Sequence, residues 1–217
     1  LWQGAIPLTV GAIWLRMHAV PMVVGAWISA GKNPPLLPDI GRYPLPNRLL
    51  HWIRAGLILG LIGLGWIMTT LPEKIAARFD WFYPVHKEFG VLAFLTGTVA
   101  IVARTRSILP GHPPGLAPWE ARLSTVVQYA ILTLAIIVPL MGYAMSSSFT
   151  QSDGVPFFGI ELPELLAKND RAFAIFQWLH KTLAYTLLGL IILHIAGVLK
   201  HRFVDAGKDT DVLPRML

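Results

Sequence analysis

The chain has 217 residues, 54% hydrophobic and 14% charged, with a formal net charge of +6. Soluble domains carry about a quarter charged residues, so this composition points to a membrane. The positive charge lies in short segments between apolar runs, which argues against a nucleic-acid partner. Cysteine is absent, which excludes disulfides, iron–sulfur clusters, c-type haem attachment and thiolate zinc, leaving His, Met and carboxylates as the only metal ligands.

Residues 1–40 read as an N-terminal extension and linker. Ile6 to Ala30 is apolar but interrupted by Arg16, His18 and Pro21. A central Arg costs roughly 3 kcal/mol on insertion. An interfacial stretch, a cropped leader or an upstream translated segment is therefore expected ahead of the alternative, a fifth span. Lys32 to Arg42 reads as irregular linker.

Residues 41–217 hold four segments that meet the roughly 20 residues a membrane span needs: Leu49 to Leu71, Val85 to Arg104, Leu123 to Ser148 and Trp178 to Lys200. Backbone in hydrocarbon must satisfy itself, so each is expected as a helix. Lys87 and Arg104 can snorkel from the ends of the second. The connections Pro72 to Pro84 and Thr105 to Arg122 are short, and the latter is broken by Pro110, Pro113, Pro114 and Pro118. Phe149 to Gln177 is longer and partly apolar. It is expected as a cap on the membrane surface, with one short helix near Pro163. Lys and Arg divide ten to six between the two sides, with Arg42, Arg48, Arg54, Arg104, Arg106 and Lys200 on the richer one. That side, with the C-terminus, is expected to be cytoplasmic.

The histidines carry the chemistry. His86 and His180 fall at the outer ends of the second and fourth helices. His51 and His194 fall toward the inner ends of the first and fourth. The fourteen residues from His180 to His194 return to within roughly 40° of one face and rise about 21 Å. Two ligands on one face at two depths, each met from another helix, suit two stacked bis-histidine haems. The expected fold class is thus all-α, an integral membrane four-helix bundle binding two haems. Singly, His51, His86 and His180 also fit as interfacial polar residues. His194, inside LLGLIILHIAGVL, does not, because ionisable residues within a span are functional by default. A histidine proton relay is the other chemistry this pattern allows, whereas carboxylate-bridged di-metal sites would need Glu-x-x-His pairs that these helices lack. Gly56, Gly60, Gly63, Gly65, Gly90 and Gly97 either leave room for flat macrocycles or allow close helix packing. His201 would bond a haem propionate or quinone carbonyl, or simply sit in the interface. Arg54 and Arg104, with Arg48 and Arg106, would neutralise propionates or anchor lipid phosphates at the inner end. Lys87 and Lys181 would do the same at the outer end.

The runs RYPLPNRLLHW, VHKEFGVLAFLTGTVAIVARTR and WLHKTLAYTLLGLIILHIAGVLKHRF, with the closing DVLPRM, resemble the bacterial cytochrome b561 family across Arg42 to Met216. VPFFGIELP resembles that family's outer cap. The resemblance implies four helices in the bacterial inner membrane and two haem b groups with His51, His86, His180 and His194 as axial ligands. It also implies ubiquinone as electron partner. A relative acts as a superoxide oxidase. The corresponding expectation is a superoxide:ubiquinone oxidoreductase that attracts its substrate with Lys87, Lys181, Lys168 and Arg171. The alternative is a membrane anchor relaying electrons between a partner dehydrogenase or hydrogenase and quinone. Lys181 departs from relatives that have Glu after the fourth-helix His.

Overall fold

The computed structural model describes residues 41–205 and 209–217; the N-terminal extension and the question of a fifth span lie outside them. Four long helices follow one another: α1 (Leu45–Thr70), α2 (Tyr83–Arg106), α3 (Pro118–Ser148) and α4 (Asp170–Leu199). All four are long and apolar enough to cross a membrane. They begin earlier than hydropathy alone suggests, because their first turns stand outside the apolar windows. Pro46, Pro84 and Pro118 occupy the entry turns of α1, α2 and α3, where a missing N–H costs little. The side chain of Asn169 caps α4 by accepting from the amides of Arg171 and Ala172. A π-helical turn, Arg78–Phe82, leads into α2, and a second, Lys200–Val204, extends α4.

α1 packs on α2, α2 on α3 and α3, most extensively, on α4. The α2 face turned inward is small: Ala93, Gly97 and Ala100 are buried. A Cβ at Gly97 would meet Ile136 Cδ1 at 2.9 Å, so this glycine permits close helix approach. Leu49, Ile53, Val126 and Ile192 are exposed outward, as a hydrocarbon solvent requires. α1 and α4 run antiparallel: His51 faces His194, and Trp66 Nε1 donates to Tyr185 Oη at 3.1 Å.

The connection between α3 and α4 corrects an expectation. No helix forms near Pro163. Instead Val155–Phe157 (β1) and Ile160–Leu162 (β2) pair as an antiparallel hairpin, closed by Phe158 and Gly159 with φ of 47° and 85°. Two positive φ values mark a type I′ turn. Pro163 ends the hairpin, and its carbonyl accepts from Tyr143 Oη. At the inner end the C-terminal strap folds back: Trp52 Nε1 donates to the Met216 carbonyl, and Arg215 donates to the carbonyls of Gly41 and Gly111.

Candidate metal centres

The helices bring the four intramembrane histidines together as two pairs. His86 of α2 faces His180 of α4 with ring centroids 6.2 Å apart. His51 of α1 faces His194 of α4 at 6.3 Å. A metal–imidazole bond is about 2.0 Å. With the depth of each ring added, one ion between two facing imidazoles sets their centres roughly 6.3 Å apart. Both pairs have the spacing of a bis-imidazole site.

The outer pair is also oriented. His180 Nδ1 lies 2.9 Å from the carbonyl oxygen of Val138 on α3. A carbonyl only accepts, so Nδ1 carries the proton and Nε2 keeps its lone pair for a metal. Gly142, one turn further along α3, makes this approach possible: a Cβ there would meet His180 Cε1 at 3.0 Å and Nδ1 at 3.1 Å. On the other side a Cβ at Gly65 would touch His86 Cε1 at 3.5 Å. His86 Nδ1 is buried without a hydrogen-bond partner, a nitrogen still available to a ligand. An added Cβ at Gly56, Gly60, Gly63 or Gly90 would meet nothing within 4 Å. Of the two roles the sequence allowed these glycines, room beside the helix fits these four positions, and close packing fits Gly97. The donor set is imidazole nitrogen alone, in an apolar setting, with space for a flat group. That set suits a b-type haem.

The remaining candidates divide. Lys87, next to His86, is tied into the cap: its ammonium pairs with Asp153 and donates to the Gly154 carbonyl. Lys168 pairs with Glu164. The Lys168 hydrogen bond holds the Glu164 carboxyl below its ordinary range. Arg171 and Lys181 are exposed and form no ion pair among the described residues. Lys181 lines a shallow groove of about 570 Å³ with Trp178, Thr182, Tyr185 and Thr186. At the inner end Arg54 Nε and Arg48 Nε are buried without partners, as an absent anion would leave them, whereas Arg104 lies 5.2 Å over the Tyr129 ring. His201 is taken by Asp205, Nδ1 to Oδ2 at 3.0 Å, and Lys200 bridges Asp205 to Glu120.

Sequence reasoning missed the part played by α3. That helix has no histidine, so it drew no attention, yet Val138 and Gly142 set the proton and the position of His180. The only sequence signal was Pro139 followed three residues later by Gly142 inside an otherwise regular apolar run.

The model of the prokaryotic cytochrome b561 family matches residues 42–217. The chain belongs to the prokaryotic cytochrome b561 family. A relative, cytochrome b561 homolog 2 of Escherichia coli (strain K12), is 30% identical over 183 residues, covering 81% of this chain and 91% of that protein. As a cytochrome b561 the chain is a multi-pass membrane protein of electron transport that works with b-type haem. Its surroundings are lipid, and it needs a redox partner.

Proposed function

We propose that residues 41–217 form a di-haem conduit that moves single electrons between the outer face and the quinone pool, with ubiquinone as the membrane partner. The observation that carries it is the pair of ring separations, 6.2 and 6.3 Å. His86 and His180 would hold one b haem, and His51 and His194 the other. When bound, b haem supplies reversible one-electron chemistry at iron. The Val138 carbonyl keeps His180 Nε2 free to bind, and Arg48 and Arg54, half-buried, offer cationic partners for acidic substituents at the inner site. Haem quantitation tests this: two per chain in the native protein, falling to one in His51→Ala and in His86→Ala. Two haems in either variant would sink the pairing.

The finer reading, superoxide:ubiquinone oxidoreductase, is supported by the family resemblance and by the unpaired cations Lys181 and Arg171. Steering an anion needs a positive approach, and here the support thins. Lys87 and Lys168 are ion-paired. Residues 72–88 and 149–181 together carry six Lys and Arg against seven Asp and Glu. This balance favours the second reading, in which electrons pass between quinone and a docked redox protein. Pulsed superoxide separates the two. Haem reduction faster than spontaneous dismutation supports the oxidase, and its absence leaves the protein-partner reading.

A further inference from the structure

Arg54 is a charge placed where a membrane span resists one. It lies within α1, one turn deeper than His51, in the run Ile53, Arg54, Ala55. An ionisable residue inside a span is costly and marks function by default. The Arg54 Nε is buried without a partner, and so is that of Arg48. The two arginines stand three residues to either side of His51, so both are its neighbours on the helix surface. The Arg54 charge reaches the His51 ring. The carboxylates of the inner end are engaged elsewhere: Lys200 holds Glu120 and Asp205, and Arg202 holds Asp211. Among the described residues neither Arg48 nor Arg54 meets an anion.

The outer pair has different surroundings. Lys87, next to His86, is neutralised by Asp153. Lys181, next to His180, is exposed, where water and salt screen its charge. Arg78 lies eight residues ahead of His86, donates to the Leu71 carbonyl and stands 5.2 Å over the Phe79 ring. His180 Nδ1 donates to the Val138 carbonyl, which makes that imidazole a more basic ligand. No such hydrogen bond reaches His51 or His194 among the described residues. Ferric iron carries one positive charge more than ferrous iron. A poorly screened cation beside the iron disfavours the ferric state, whereas a more basic imidazole favours it. The sign holds if an acidic haem substituent lies between, because the arginine then cancels a negative charge that favours ferric iron. We propose that Arg54, with Arg48, sets the iron site between His51 and His194 at a higher reduction potential than the site between His86 and His180, so that electrons run downhill from the outer pair to the inner one. The inference rests on the di-haem reading above. In the step itself one electron leaves ferrous iron at the outer pair, which becomes ferric, and ferric iron at the inner pair becomes ferrous. No bond breaks and no proton moves.

The test is a redox titration of the full haem-loaded chain in lipid nanodiscs, followed by haem absorbance. His86→Ala, which keeps the inner site, should titrate at a higher potential than His51→Ala, which keeps the outer one. The gap should be at least about tenfold in the ratio of reduced to oxidised haem, or about 59 mV for a one-electron couple. In the otherwise native chain Arg54→Gln should lower the inner potential and leave the outer one in place. Arg54→Lys should recover most of the difference, because it restores the charge. One haem in the native chain sinks the di-haem reading and this inference with it. Two haems with the inner one no higher, or an Arg54→Gln that moves both potentials alike or neither, overturns this inference alone. Should Arg54→Gln lose the inner haem, Arg48→Gln decides: a lowered inner potential supports the electrostatic role, and an unchanged one overturns it.

Discussion

A methyl group at position 142 would crowd the His180 ring. It would sit 3.0 Å from a carbon and 3.1 Å from a nitrogen of that ring, tight enough that the ring must shift by a few tenths of an ångström. Gly142→Ala is therefore expected to push the ring off the Val138 carbonyl and to cost about half the bound haem, read as haem per chain falling from two toward one. Gly60→Ala is the control: an added Cβ meets nothing within 4 Å, and Ala favours a helix over Gly by about 1 kcal/mol. The Gly60 variant should keep the fold, and any fall in its haem content reports a macrocycle against α1. Glu164 gives a pH dependence. Its carboxyl is held low by Lys168, so the pair stabilises the cap above the ordinary Glu pKa of about 4.3, and that stability is lost as pH falls through the folded value. Hydrogen exchange of the cap amides should accelerate on acidification, and Glu164→Gln should remove that step. The pairing of the four histidines was legible at this scale because a rise of about 1.5 Å per residue turns numbering into depth. Val138 was not, because a backbone carbonyl leaves no trace in residue type.

The helices were legible from hydropathy, and their extra turns were not. Residues 170–177 carry Asp170 and Arg171 and lie outside the apolar window, so α4 was expected to start at Trp178; Asn169 sets its true start by capping. The cap misled for a related reason. A hairpin is usually announced by Asn-Gly or Asp-Gly, and Phe158-Gly159 hides the same geometry under an apolar residue. Tyr143 joins helix and cap, donating to the Pro163 carbonyl and accepting from the Leu165 amide. Tyr143→Phe should loosen the cap by about 1 kcal/mol per lost bond. Faster exchange at Leu165 with unchanged exchange in α3 would be the signature.

Charge divides the whole molecule unevenly. Residues 41–54, 104–122 and 200–217 carry ten Lys and Arg against four Asp and Glu, in contrast to the balanced outer segments. This supports the proposed orientation with the C-terminus cytoplasmic. The chain has no cysteine, so single-site labelling can check it. Leu165→Cys, at a residue 75% exposed in the cap, should react with an impermeant thiol reagent added to intact cells. Phe203→Cys, at a residue 70% exposed beyond α4, should react only after the membrane is opened. The reverse pattern would invert the topology.

α4 supplies one histidine to each pair, and it is the last long helix in the chain order. While α1, α2 and α3 are being threaded into the bilayer, neither His51 nor His86 has its opposite number. Neither bis-histidine site can be completed helix by helix during synthesis. Both pairs come into being in one event, when α4 slides in beside α3, so under the proposed di-haem reading cofactor loading would have a single late checkpoint.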